Sequence, residues 1–422
     1  MSQFPIELCN LINEYDPRYK LLDWVPRDKL NWENICCNLN AKDMIMTEYH
    51  NNRESDKLYW DYICSNQETI DIIKSEYERN KIKYCKKKPK FKNKLKDKLK
   101  WSYICYNKSA VNIIKAEYER NPNSNNLYWN GICCNISTSE IIKAEYERDP
   151  ESNKLSWDGI CCNSAAIDVI KAEYERNPES NKLTWDYICS NEAAIDIIQA
   201  EYKRNPNSHN LYWDIICANS GMIDIIKAEY ERDPNSNKIH LDFICTNPAA
   251  IDIIKAEYER DPESNKLSWD YICSNEAAIN ILQAEYKRCP KSKKLSWSTI
   301  FWNEKACDII KLKLSKIQHK RQKRRLNGNV WEGLYINPAA LDVIKVEYER
   351  SKNIDNSENN SNTTSKIAFR HWIDICTNPA SIDIIKAEYE RDSESKNLCW
   401  KNISGNKSIF TKYIDHLTKL TW

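Results

Sequence analysis

Eighteen cysteines, six histidines and sixty-one carboxylates are the groups in this sequence that could do chemistry. A thiol can bridge to another thiol, ligate a soft metal or attack as a thiolate. The placement speaks against all three. Ten cysteines (Cys36, Cys64, Cys105, Cys133, Cys161, Cys189, Cys217, Cys245, Cys273 and Cys376) stand four residues after a recurring marker, Trp in nine cases and Leu241 in the tenth. Copies stacked at about 8–10 Å, as packed helices are, would hold these sulfurs beyond disulfide reach. There is no Cys-x-x-Cys, and His50, His209, His240, His319, His371 and His416 do not fall at ligand spacing from cysteine. A free cysteine is a small, well-buried apolar residue. The expectation is therefore packing, with no metal and no cofactor.

The carboxylates recur with the same period, so no unique pair is set aside for general acid–base work. The sequence holds no Gly-rich phosphate loop, no HExxH and no GxSxG. One acidic position stands out. Glu173 and its equivalents (Glu48, Glu76, Glu117, Glu145, Glu201, Glu229, Glu257, Glu285, Glu347 and Glu388) project into an apolar helical arc. A buried carboxylate needs partners. Arg176, three residues on, or a Trp indole N–H would supply one. A catalytic group does not need eleven copies, and the chain is expected not to be an enzyme.

What positions these groups is an array. Markers fall at Trp32, Trp60, Trp101, Trp129, Trp157, Trp185, Trp213, Leu241, Trp269, Trp297, Trp331, Trp372 and Trp400, thirteen copies with most steps at 28 residues. Three residues after each marker is Ile or Leu, and six after is always Asn; seventeen after is Tyr in eleven copies. Trp157, Ile160 and Cys161 share one helical face, with Ser156 as the expected N-cap. Asn163 should end that helix and cap a second, over 164–176. Asn247-Pro248 and Asn337-Pro338 agree, since Pro suits the first helical position. Asn or Asp before Pro after "EYER" should stop the second helix. Ile167, Val169, Ile170 and Tyr174 give it a broad apolar arc, as a unit with two neighbours requires. The marker tryptophans, each burying about 150–250 Å², are expected to be the main glue.

Five stretches depart from the pattern. Residues 1–27 open with an apolar segment, Phe4 to Tyr15, expected to be a helical cap on the first copy. Phe4, Pro5, Glu7, Leu8 and Ile12 also resemble the start of an F-box, which would imply an adaptor for ubiquitin ligation. Residues 81–100 carry eleven Lys against one Asp, and residues 311–325 carry eight Lys or Arg. The net charge is +2, so the rest of the chain is +2 − 10 − 8 = −16. Lys86, Lys87 and Lys88 in the first run, expected as an exposed loop, and Lys320, Arg321, Lys323, Arg324 and Arg325 in the second, expected to prolong a helix, suit nucleic acid, an anionic surface or nuclear import. Residues 351–366 are polar and expected to be disordered, and 418–422 form a tail.

The recurring string W-x-x-I-C-x-N-x-A-A-I-x-I-I resembles the Trp/Asn-rich helical repeats of uncharacterised proteins from giant DNA viruses of the mimivirus group. Leu241–Ile254 and Trp372–Ile385 carry the likeness most closely. It covers about residues 28–417. Cys where Ser is common, and the long connection "KAEYERNPESNK", depart from it. The resemblance implies a repeat architecture and a viral origin, and gives no catalytic residue. The expected fold is an all-α solenoid of about thirteen helical hairpins, with the array over 28–417. The expected role is a scaffold for a protein partner, with binding to nucleic acid through the basic segments, or the adaptor role, as alternatives. Tyr62, Tyr103, Tyr187, Ile215, Phe243 and Tyr271, two residues after their markers, are the candidate partner-binding residues, since that position faces away from the Trp stripe. No segment reads as a secretory signal or a transmembrane span, so the chain is expected in the host cell cytoplasm or nucleus and not secreted.

Overall fold

The structure is a computed structural model, and it describes residues 18–86, 98–233, 235–263, 265–316, 328–355 and 369–413. Copies are numbered 1 to 13 by their markers. Copy 5 shows how the pattern folds. Its first helix, Trp157–Cys162, ends at Asn163, whose backbone turns extended. The Asn163 Oδ1 accepts the Ala165 N–H at 3.0 Å, the geometry of an N-cap. A 3₁₀ turn, Ser164–Ala166, leads into the α-helix Ile167–Arg176. The α-helix thus starts three residues later than the span 164–176 implies, because the Asn cap tightens the first turn. Asn177 is extended and stops it, and its Oδ1 accepts the Glu179 N–H at 3.1 Å to shape the loop. Ser156 sits at the N-cap of the first helix but makes no side-chain cap bond. Its N–H donates instead to the Cys133 Sγ of copy 4 at 3.4 Å, so a sulfur from the neighbouring copy holds this turn.

The same two helices recur, as in Trp185–Ser190 with Ile195–Arg204 and Trp269–Ser274 with Ile279–Arg288. The chain is an all-α repeat protein with repeated helix packing. Its only sheet among the described residues is one antiparallel pair, β1 (Arg18–Leu21) with β2 (Phe410–Tyr413). No described helix is long and apolar enough to cross a membrane. The core is built from Ile160, Cys161 and Ile170 and their equivalents, which have no exposed surface. The marker tryptophans differ in burial. Trp185, Trp213 and Trp372 are buried, but Trp157, Trp269 and Trp297 are only partly so. The reason is position: the marker opens its helix and lies at the rim of the stack, beside the loop.

Contacts divide the chain into two compact units, Met1–Tyr128 with Trp372–Trp422, and Trp129–His371. In the second unit, copies 4 to 11 follow one another. From copy 5 to copy 11 each Asn of the marker set donates its Nδ2 to the preceding copy, as Asn163 does to the Cys133 and Asn135 carbonyls at 2.9 and 3.2 Å, Asn191 to Cys161 at 2.9 Å and Asn275 to Cys245 at 3.0 Å. The side chain is thus used at both ends, once to cap its own helix and once to bond its neighbour.

In the first unit the order in space is not the order in sequence. Copy 13 stacks on copy 1. Asn38 donates to the Ser404 and Asn406 carbonyls at 3.2 and 3.3 Å, as Asn163 does to copy 4. Lys29 donates to the Ser393 carbonyl at 3.0 Å and to Glu394 at 2.5 Å, and lies 5.8 Å from the Trp400 ring centroid. β1 pairs with β2 in the register Leu21↔Phe410, and both of these side chains are buried. The face of copy 1 that a terminal cap was expected to cover is therefore covered by copy 13. Residues 1–17, which carry the expected cap helix and the F-box likeness, and residues 418–422 lie outside the described residues. Two insertions begin in regular structure. The helix Ile70–Lys86 runs into the Lys-rich segment 81–100 and the helix Leu341–Asp355 into the polar segment 351–366. The first turns of both segments are helical rather than the loop and disorder expected of them.

Candidate partner-binding face

The recurring groups with chemical potential are absorbed by the framework. Glu173 is fully buried. It accepts hydrogen bonds from Arg176 Nη2 at 2.8 Å, from Ser180 Oγ at 2.5 Å and from the Tyr146 hydroxyl of copy 4 at 2.9 Å. The arginine is the partner expected from sequence. The tyrosine is not: the indole of Trp157 packs edge-on against Tyr146 at 5.9 Å between centroids and leaves the carboxylate to the tyrosine. Burial works to raise the Glu173 pKa, but Ser180, Arg176, Tyr146 and nearby Lys182 outweigh it and hold it below the usual carboxylate range. The same set around Glu229 brings it down to about 2. Burial pushes the thiols of Cys161, Cys189 and Cys273 up to about 12, so they are neutral donors. Cys161 and Cys189 give their S–H to the carbonyls of Lys182 and Asn210 in the next copies. Among the described residues no group of His, Cys, Asp or Glu is placed to hold a metal ion.

The face that the framework leaves open is the outer side of the first helices. There Tyr103, Tyr187, Phe243 and Tyr271 are exposed, at 44, 40, 39 and 44%. Tyr62 and Ile215 are partly covered, Tyr62 because its hydroxyl bonds Glu33 of copy 1 at 2.8 Å. Other aromatics of the same side also reach solvent: Tyr59, Tyr128 and Tyr212, one residue before their markers, and Tyr106 and Trp302, five after. Helical periodicity turns the positions one, two and five after the marker away from the Trp stripe, and the residue before the marker shares that side. Copy 5 has Gly159 at the aromatic position because the helices of copies 4 and 5 approach closely. A Cβ there would lie 3.0 Å from both Cys133 Cβ and Cys134 Sγ.

Beside the aromatics runs a row of carboxylates one residue after each marker: Asp158, Asp186, Asp214, Asp242 and Asp270 of copies 5 to 9. All five reach solvent, and none has an ion pair with a described Lys or Arg. The positions one before and one, two and five after these five markers contain no Lys or Arg at all. In the first unit the equivalent Asp61 has Lys100 at 3.8 Å. The face of copies 5 to 9 is thus aromatic and acidic.

A second inter-copy device lies at the rim. The lysine three residues before a marker reaches back over the preceding copy's tryptophan. Lys182 Nζ stands 5.8 Å from the Trp157 centroid, 2.9 Å from the Pro150 carbonyl and 2.6 Å from Glu151. Lys57, Lys154 and Lys238 lie likewise over Trp32, Trp129 and Trp213. Lys98, near the end of the Lys-rich segment, does so over Trp60, while Lys313 covers Trp297 and Lys311 pairs with Asp342 at 2.9 Å. Part of each basic run therefore belongs to the framework. At the junction of copies 6 and 7 the position is Asn210, and a cleft of about 360 Å³ opens there, lined by Glu179, Trp185, Asp186, His209 and Tyr212.

Of the basic candidates, Lys86 is the last residue of its helix. Lys87, Lys88, Lys320, Arg321, Lys323, Arg324 and Arg325 lie outside the described residues. The chain matches no protein-family model, no curated protein and no solved structure.

Proposed function

We propose that this chain is a non-catalytic protein–protein interaction scaffold, an α-solenoid of about thirteen helical hairpins. The resemblance of its marker string implies a viral origin, and the scaffold is read as host-directed. One observation carries the reading: within the second unit, Tyr187, Phe243 and Tyr271 on the first helices of copies 6, 8 and 9, with Tyr212 at the start of copy 7, stay exposed although the same helices bury their Ile and Cys completely. Large exposed aromatics in a row are costly to leave in water and are the side chains that anchor interfaces. The buried polar set between copies supports the same reading, because it fixes the spacing at which the row is presented. The repeat arrangement uses its buried Glu and Cys for structure and keeps its variation for the open face of the first helices.

The test is a triple variant, Tyr187→Ala, Phe243→Ala and Tyr271→Ala, in the full chain, with in-cell cross-linking and affinity purification. The scaffold reading expects the cross-linked partner to weaken tenfold or more, since each anchor is worth above about 1 kcal/mol, with far-UV circular dichroism and melting unchanged. A variant that retains the partner in full sinks the reading. A chain lacking 87–97 and 317–327, run in parallel, separates it from binding through the basic segments, which alone should fall steeply with salt.

A further inference from the structure

We propose that the cleft at the junction of copies 6 and 7 is a binding site for the side chain of a lysine supplied by a partner polypeptide. The site is defined by comparison within the chain. Four junctions carry a complete set of parts: a marker Trp, a carbonyl seven residues before that marker, a Glu six before it, and a Lys from the next copy. They are Trp60 with Arg53, Glu54 and Lys98; Trp157 with Pro150, Glu151 and Lys182; Trp269 with Pro262, Glu263 and Lys294; and Trp400 with Ser393, Glu394 and Lys29. In each the ammonium meets a carbonyl, a carboxylate and an indole face together.

Copy 6 keeps Pro178, Glu179 and Trp185 at the same three places, but copy 7 offers Asn210 instead of Lys. Asn210 turns its Nδ2 the other way, to Glu201 at 3.2 Å. Glu179 is left one cation short. Glu151 is bonded by both Arg176 and Lys182, and Glu263 by both Arg288 and Lys294, whereas Glu179 has Arg204 alone, at 2.7 Å. Asn126 and Asn397 occupy the same position elsewhere, but the residues in the place of Glu179 are Leu95 and Lys366. The copy 6–7 junction is thus the one that combines the shorter side chain with a carboxylate. The cleft adds Asp186, which has no cationic partner among the described residues, and Tyr212, which is 45% exposed.

An ammonium held by carboxylate and carbonyl oxygens beside an indole gains from charge and from the ring quadrupole. In the four intact junctions the ammonium stands 5.2–5.8 Å from the ring centroid. The site lies within the acidic, aromatic face of copies 5 to 9, so the inference rests on the scaffold reading for the source of the lysine and on nothing else from it.

The experiment uses the full chain labelled with 5-fluorotryptophan, the Trp185 line being assigned by Trp185→Phe. Nα-acetyl-lysine methylamide is titrated and the ¹⁹F shift followed. The expected result is a saturable shift of the Trp185 line, weakened by 0.5 M salt and absent with the Nε-acetylated analogue. Asn210→Lys fills the site from within, as at the intact junctions. It should weaken probe binding tenfold or more and leave melting equal or higher, so misfolding cannot mimic the loss. An equal shift with the Nε-acetylated analogue, or Asn210→Lys responding like the natural chain, overturns the proposal. The Tyr187, Phe243 and Tyr271 triple variant keeps the two readings apart. Probe binding with an aromatic-independent partner leaves the lysine site standing and sinks the scaffold; aromatic-dependent capture without probe binding does the reverse.

Discussion

A carboxylate with no exposed surface survives in a folded chain only when its donors outweigh its desolvation. Glu229 shows the balance. Arg232, Ser236 and the Tyr202 hydroxyl of the preceding copy surround it, the latter two at 2.7 and 2.9 Å, and its pKa falls from 4.5 to about 2. The folded value lies below the unfolded one, so this stabilisation is fully present above about pH 4.5 and is lost as pH falls toward 2. A shift of that size corresponds to roughly 3 kcal/mol. Because the pKa values of Glu76, Glu117, Glu173, Glu201 and Glu388 are also lowered by hydrogen-bonding donors around them, the losses should fall together. Urea unfolding followed at pH 7, 4.5 and 3 should show little change over the first step and a steep loss over the second. Glu229→Gln should be less stable than the natural chain at pH 7 and lose less on acidification. Equal stability at pH 7 and pH 3 would contradict this account of the buried row.

The element that makes one copy depend on the next is the turn at the recurring Asn. Removing the Asn163 side chain deletes a helix cap, about 1 kcal/mol, and leaves the Cys133 and Asn135 carbonyls without their donor, about 1–3 kcal/mol more. Asn163→Ala should therefore cost roughly 2–4 kcal/mol in denaturant unfolding. Asn163→Asp keeps the cap acceptor but has no Nδ2 to donate, so it separates the two roles. It should be at least as damaging as Ala, because it aims a carboxylate at two carbonyls. If Asp restores natural stability, the asparagine is a cap and nothing more. The helices, their order and the cap were legible from spacing alone, since each is a property of one copy. The contacts between copies were not. That Tyr146 reaches Glu173, or that Lys182 covers Trp157, depends on how far each copy is offset on its neighbour. Helical periodicity carries no such offset. A signal existed: Tyr and the next Glu recur 27 residues apart in most copies, and Lys recurs three residues before the marker. The exposed aromatics were placed by the helical wheel at one position, but the acidic row beside them and the cleft at Asn210 required side chains from adjacent copies to be seen together.

At the scale of the molecule, the decisive feature is that within each unit one set of contacts joins neighbouring copies, whether or not the chain runs directly between the two. Copy 13 meets copy 1 through the same Asn, Lys and Trp that join copies 4 and 5 or 5 and 6. Ser404 replaces the cysteine at this junction and keeps its duty, accepting the Asn31 N–H at 2.8 Å as Cys133 accepts that of Ser156. Copies 1 and 13 thus stabilise each other within one unit. The most direct test is zero-length carbodiimide cross-linking of the monomer, read by mass spectrometry. Lys182 and Glu151, 2.6 Å apart at a junction where the chain is continuous, serve as the internal standard. The account predicts a Lys29–Glu394 cross-link, between residues 365 apart in sequence and 2.5 Å apart in space, at a yield comparable to the standard. A sample that gives the Lys182–Glu151 product but no Lys29–Glu394 product within the monomer would contradict it.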